Sequence, residues 1–286
     1  MQASTISASR MISERLHAAS ADLVDPRLAN VTAAILTYNE AENLAELLPM
    51  LGWAAEVVVI DSGSTDRTVD VACEHGARAI TRPFDSFALQ RNFAIDQVTT
   101  DWILSIDADE RPTPRLIESI RRVVQPARTD LQNHRPIAYH VPIRSHIFGR
   151  PIRRSGTQDD RPIRLFRRDR ARWSGQVHEV LDVAGPVGRL DGWLTHRTQH
   201  DLHTFLTKMN RYTTLDARAR VEAGLRPQMF ARAWRPAREV FRRLIYKLGI
   251  LDGPTGWAFC FLSGLYEYVL ADKHRRYWKE RNATDR

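Results

Sequence analysis

Residues 31–42, VTAAILTYNEAE, decide how this chain folds. The first seven, VTAAILT, form a short apolar run, which suits a strand buried on both faces of a parallel sheet. The run ends in Tyr38-Asn39-Glu40. Asn39 is a good N-cap and Glu42 follows three residues on, at capping-box spacing, so a helix is predicted from there to about Leu51.

Outward from this stretch the alternation repeats. EVVVID, 56–61, reads as a second buried strand, and Ser64 or Thr65 caps a helix that stops at Gly76. Residues 78–81 make a short third strand and residues 86–98 a helix with Phe87, Leu89, Phe93 and Ile95 among its apolar positions. WILSID, 102–107, is a fourth strand, and Thr113-Pro114 opens a helix with Pro at its first position. Strand–helix alternation with short connections implies right-handed crossovers and a mostly parallel sheet covered on both faces, an α/β fold. Further on, IAYHVPI (137–143) and RPIRLF (161–166) read as strands. From Asp201 the chain turns helical, with Leu202, Phe205, Met209 and Tyr212 on one face.

In such sheets ligands bind beyond the carboxyl ends of the strands. Those ends carry Thr37-Tyr38-Asn39, Asp61-Ser62-Gly63 and Asp107-Ala108-Asp109, so three polar clusters converge on one edge. Two acids separated by one residue, leaving a buried strand, can turn toward one Mg²⁺ or Mn²⁺ ion and leave room for phosphate oxygens. The alternative is an acidic turn in water, or Asp109 and Glu110 serving the next helix's N-terminus. Asp61 can accept a base N–H or ribose hydroxyls, or simply close its turn. Neither GxGxxG nor GxxxxGK[ST] occurs, which disfavours a dinucleotide fold and a P-loop.

ILTYNEAENL, VVVIDSGSTDRT, ALQRN and SIDADE together, in this order and spacing, resemble the nucleotide-sugar-binding half of family 2 glycosyltransferases over about residues 30–125. The resemblance implies a GT-A-like fold. It places Thr37, Tyr38 and Glu40 in the nucleoside pocket, Asp61 on the base N–H, Arg91 on the base or phosphates, and Asp107 and Asp109 on diphosphate and metal. WSGQVHE, 173–179, and LTHRTQHDLHTFLTKMNRYTTLDA, 194–217, resemble the lipopolysaccharide core β-1,4-glucosyltransferase type, whose members modify inner-core heptose, although relatives with other acceptors share Val-His-Glu.

The implied chemistry is inverting transfer of a hexose, with UDP-glucose the expected donor and a lipopolysaccharide-core or other membrane-linked glycan the expected acceptor. A metal-stabilised diphosphate leaves without an acid, so one carboxylate suffices as base, unlike the pair in most glycosidases. Glu179 is the candidate base. His178 orients it or reaches the metal, and His196 is a further candidate metal ligand; both histidines have an ordinary structural reading as well.

Lys and Arg number 42 against 34 Asp and Glu, for a formal charge of +8, which suits nucleic acid, anionic lipid or phosphorylated substrates without choosing among them. The stacked aromatic platforms of RNA binders are not evident, so no nucleic-acid partner is expected. Ten arginines lie within 144–172, a candidate acceptor surface or an ion-paired, solvated one. WRPAREVFRRLIYKLGI, 234–250, mixes arginine with aromatics as an interfacial helix does. PTGWAFCFLSGLYEYVLA, 254–271, carries only Glu267 as charge, but its 18 residues with two glycines favour shallow insertion, or burial against the preceding helix, over a span.

The expected organisation is a polar lead-in over 1–28, a catalytic domain over 29–200 and a helical, basic, membrane-associating region over 201–286. The N-terminus lacks a signal-peptide core, and Cys73 and Cys260 form no framework. The expected place is therefore cytoplasmic, at the inner face of the cytoplasmic membrane. Transfer to a polyprenyl phosphate and sugar nucleotidyl transfer are the rival enzyme readings; the second normally needs a Gly-rich loop where this chain has TYNEAEN.

Overall fold

Alternation along β1 (Leu28–Thr37) divides the core. Val31, Ala33 and Ile35 point to one side of the sheet, where Leu44, Leu47, Leu51, Leu116 and Ile120 meet them. Ala34 points to the other side, packed with Val58, Ile60, Ile95, Ile103 and Phe166. The structure, a computed structural model, describes residues 28–125, 135–157, 160–175, 179–198 and 202–284. The polar lead-in expected over 1–28 lies outside them except for Leu28.

Helix α1 (Ala41–Leu47) leads to β2 (Ala54–Asp61), α2 (Thr68–Glu74), β3 (Arg78–Thr81), α3 (Phe87–Gln97) and β4 (Trp102–Asp107). A short β5 (Glu110–Pro112) precedes α4 (Pro114–Val124), which begins at the proline, with Thr113 as its N-cap. Then come β6 (Ala138–His140), β7 (Ile143–Ile147), β8 (Arg150–Pro151), β9 (Ile163–Arg167), β10 (Ala171–Ser174), β11 (Val180–Val183), β12 (Val187–Arg189) and β13 (Leu194–Thr198). Three long helices follow: α5 (Leu202–Glu222), α6 (Ala231–Phe241) and α7 (Gly253–Thr284).

The seven-stranded sheet has the order β12-β6-β9-β4-β1-β2-β3. Its β4-β1-β2-β3 block is parallel, β9 runs antiparallel between β4 and β6, and β12 is parallel to β6. The sheet is therefore mostly parallel. A second sheet, β5-β13-β7-β8, is placed beside it by the Glu110 turn.

Three local expectations are corrected. Asn39 is not the cap of α1; it adopts a left-handed conformation (φ 55°) and Glu40 takes the N-cap position. The Asn39 side-chain Oδ1 instead accepts from the Thr65 N–H at 2.8 Å, tying the first strand tip to the second. Neither Ser64 nor Thr65 caps α2, which begins at Thr68 with Arg67 at its N-cap; the Asp66 carboxylate accepts from the Thr68 and Ala41 N–H groups. Segment 137–143 is not one strand. Pro142 lacks an N–H and cannot continue the ladder, so β6 ends in the large sheet and β7 begins in the small one.

Helix α7 packs antiparallel to α6, with Gly264 against Val240 and Pro236; a Cβ on Gly264 would lie 2.5 Å from the Val240 side chain. Arg232 pairs with Asp272 across the two helices at 2.9 Å, and Lys273 of α7 donates to the Asn210 carbonyl of α5 at 2.7 Å. Stretch 254–271 falls within α7 and is half covered. Cys260 and Leu270 are buried, while Trp257, Phe261 and Tyr268 are exposed. Among the described residues no helix is long and apolar enough to cross a membrane.

Candidate functional site

Strand register brings the three polar tips together. Thr37 lies opposite Asp61, and Leu36 opposite Asp107. Beyond these tips opens a cleft of about 900 Å³. Tyr38, Glu40, Arg91, Asp107, Asp109, Glu179 and His196 all line it, as does Thr37, although that side chain is mostly buried. His178 lies outside the described residues.

Asp61 is 1% exposed and does not line the cleft, whereas Ser62, next in the chain, does. Its Oδ1 accepts from the Thr37 and Ser64 hydroxyls and its Oδ2 from the Gly63 and Ser64 N–H groups. A carboxylate has about four lone-pair positions. In this conformation chain donors fill them, so a base N–H must displace one.

Asp107 is held in a different way. Arg91 donates to its Oδ1 at 3.0 Å and Arg164 to its Oδ2 at 2.8 Å. Burial opposes the charge, but these two guanidiniums overcome it and hold the Asp107 carboxyl well below the usual carboxylate range. Arg164 also donates to Glu110 at 2.7 Å, and the Asp107 N–H donates to the other Glu110 oxygen at 2.9 Å. Burial, aided by the Asp107 charge and opposed by Arg164, pushes the fully buried Glu110 carboxyl up to about 7. Arg111 ties the same turn to α1, donating to the Ala108 and Asn43 carbonyls.

Asp109 points the other way. Its Oδ2 lies 3.2 Å from His196 Nε2 and 3.9 Å from Lys208 Nζ. His196 arrives because β13 pairs with β5, His196 opposite Glu110. Burial lowers the His196 pKa, but the hydrogen bond to Asp109 and its charge prevail, and the net direction is upward. Glu40 is raised by burial, with Asp109 adding to the effect and the Asn43 side chain opposing it.

Among the described residues no group of three or more His, Cys, Asp and Glu side chains is arranged to hold a metal. Asp107 fits such a role poorly, because both its oxygens are taken by arginines. Asp109 and His196 fit better: they are adjacent and face the cleft, and Mg²⁺ commonly takes one or two protein ligands and completes its shell with phosphate oxygens.

Arg91 forms a brace in the cleft floor. Besides Asp107 it donates to Ser105 at 2.8 Å, lies over the Trp173 ring at 4.9 Å, and places Nε 3.5 Å from a Glu179 oxygen. Glu179 thereby reaches the cleft wall on the Asp107 side.

The facing wall was not anticipated from the sequence. Phe205, Lys208, Met209, Arg211 and Tyr212 of α5 line the cleft, with Tyr266 of α7 behind them. The Arg211 guanidinium lies over the Tyr38 ring at 5.6 Å. The helical spacing of Phe205 and Met209 marked a buried face; the lysine and arginine beside them were the available signal that this face meets a polar cleft. None of the ten arginines of 144–172 lines this cleft. Arg164 is buried in the turn network, whereas Arg167 and Arg172 pair with Asp101 and Asp96, and Arg167 lies opposite Trp102 at the start of β4, the far edge of the sheet.

Residues 32–139 match the profile of Glycosyl transferase family 2. The lipopolysaccharide core biosynthesis glycosyltransferase LpsC of Rhizobium meliloti (strain 1021) is 29% identical over 253 residues, which cover 83% of this chain and 92% of that protein. An uncharacterized glycosyltransferase of Rickettsia felis is 27% identical over 69% of this chain and 72% of its own length. Among solved structures, S. aureus TarS in complex with UDP-GlcNAc is 11% identical, with a TM-score of 0.42 and coverage of 89% of this chain and 92% of that one.

Proposed function

We propose that this chain is a family 2 glycosyltransferase, a nucleotide-sugar-dependent enzyme of GT-A-like fold, and that it transfers a hexose with inversion from UDP-glucose or a close relative. The acceptor is a hydroxyl of a lipopolysaccharide-core or other membrane-linked glycan at the inner face of the cytoplasmic membrane. One observation carries this reading: a single cleft of about 900 Å³ collects Tyr38, Glu40, Asp109, His196 and Glu179 at the carboxyl edge of a parallel sheet. The acceptor class rests on the similarity to LpsC, which runs through both halves of the chain.

In this reading residues 29–200 form the catalytic domain and residues 201–286 supply its facing wall and the membrane side. Tyr38, Glu40 and the Ser62 turn receive the nucleoside. Asp109 and His196 would hold Mg²⁺ or Mn²⁺, which when bound supplies positive charge to the departing diphosphate. Lys208 and Arg211 bring further positive charge from α5. Asp107 is locked between Arg91 and Arg164 and fixes the turn that presents Asp109. Glu179 takes the proton from the attacking hydroxyl, and Arg91 sets the direction of its carboxylate. His178, next to it in the chain, is the candidate to orient it by its place in the sequence.

The test is a panel of nucleotide-sugar donors with purified protein, divalent metal and detergent-solubilised lipopolysaccharide core. UDP release coupled to acceptor glycosylation is expected. Glu179→Gln should slow transfer by about 10²–10⁴-fold, the usual worth of a general base, while leaving donor binding intact. Normal transfer by Glu179→Gln would remove it as the base, and pyrophosphate release from a nucleoside triphosphate would favour nucleotidyl transfer instead.

A further inference from the structure

We infer that the α6–α7 hairpin is a docking surface for an anionic lipid bilayer. The inference deepens the membrane-side reading above by assigning the contact to particular side chains.

At about 100° per helical residue, Trp234 and Phe241 fall within about 20° of arc on α6, and Phe230 stands at its N-cap one turn before Trp234. On α7, Trp257, Phe261, Leu265 and Tyr268 fall within about 80°. The helices run antiparallel and pack at Gly264, which lies within about 20° of Trp257 on α7, so the α7 stripe borders the contact with α6. The side chains on them are substantially uncovered: Phe230 is 72% exposed, Phe241 63% and Phe261 59%. Tyr246 and Leu251 extend the patch around the connecting turn, at 75% and 63%. Tyr266 leaves α7 on the opposite side and lines the cleft. Soluble monomers rarely leave so many large apolar groups in one patch without a partner.

Charge selects the partner. Residues 226–247 contain seven Arg and Lys against a single acid, Glu239. Glu239 accepts from Arg242 and Arg243 within the fold, and Asp252 accepts from the N–H groups of Arg153 and Arg154. Arg238 is exposed and stacks on Trp234 at 4.6 Å, so a cation and an indole are offered side by side. An apolar stripe with aromatics, bordered by arginine, matches the boundary between acyl chains and anionic headgroups. A protein partner of mixed charge would not require this one-sided balance.

The test uses the full chain in co-sedimentation with vesicles of phosphatidylcholine alone or mixed with phosphatidylglycerol. Binding to the mixed vesicles is expected, weaker at high salt and not competed by inorganic phosphate. The triple variant Phe230→Ser/Phe241→Ser/Phe261→Ser should lose at least tenfold in vesicle affinity while releasing UDP from donor in solution at the wild-type rate. Wild-type protein that ignores phosphatidylglycerol vesicles at low salt, a triple variant that binds as well as wild type, or competition by phosphate alone would overturn the inference. So would a dimer, seen by sedimentation velocity, that the triple variant converts to monomer without any vesicle binding. Loss of UDP release with vesicle binding intact would count against the proposed transfer and leave the docking surface standing.

Discussion

At the strand tips, charged side chains are wholly or partly buried and their oxygens are occupied; on the α6–α7 hairpin, large apolar side chains stand in solvent. Asp61, Asp107 and Glu110 each receive chain donors on both oxygens. Phe230, Tyr246 and Phe241 have no comparable cover. Each region departs from the ordinary distribution of polar and apolar groups, in opposite senses. The first keeps its charges by mutual pairing and so gains a rigid turn that aims Asp109. The second gains nothing from its exposure until something apolar meets it. Helix α5 joins them, contributing Lys208 and Arg211 to the cleft and packing against α7 through Asn210 and Lys273.

The largest effect should come from breaking the buried network. Arg164→Met leaves Glu110 and one side of Asp107 without a counter-charge, and removing one partner of a buried ion pair typically costs about 3–5 kcal/mol. Urea unfolding should report a loss of that order; a loss below about 1 kcal/mol would mean that Glu110 takes up a proton instead, or that water already reaches the turn. Next is Lys208→Met on the cleft wall. A hydrogen bond to a charged group is worth about 1.5–3 kcal/mol, so the donor KM should rise about tenfold or more, with Lys208→Arg recovering part of it.

A smaller effect should appear with pH. The His196 pKa lies above its usual value through Asp109, so protonation persists at higher pH than for a free imidazole. A protonated ring cannot ligate a metal. Metal-supported UDP binding should therefore weaken as pH falls through that raised value, and His196→Ala should flatten the dependence, as read by titration calorimetry across pH. The smallest effect belongs to the exposed patch. Phe241→Ser should change unfolding free energy by no more than about 0.5 kcal/mol, because the side chain is largely in solvent already. A large loss there would mean that the hairpin face is covered within the protein.

The two regions differed in legibility as well. The parallel block was readable because its strands are unbroken apolar runs and their tips carry Asp61, Asp107 and Asp109 in a recognisable order. The partners of those tips were not. Arg164 sits in a strand 57 residues beyond Asp107, and its neighbouring arginines point elsewhere, so local pattern gives no reason to single it out. His196 was named from its neighbourhood, but its approach to Asp109 depends on β13 pairing with a three-residue β5 that no periodicity announces. The α5 pattern shows that one face is covered without saying by what. In α7 the aromatic content pointed to an interface, yet only packing at Gly264 settles which face is buried and which is left outside.

In the proposed function Asp109 and His196, opposed by Lys208, form the diphosphate end of one donor cleft. Calorimetric titration of UDP, with and without Mn²⁺, into wild-type protein and Asp109→Asn tests it most directly. Metal-dependent binding is expected, at least tenfold weaker in Asp109→Asn and unchanged in Glu179→Gln. Binding of equal strength in Asp109→Asn, or binding indifferent to the metal, would contradict it.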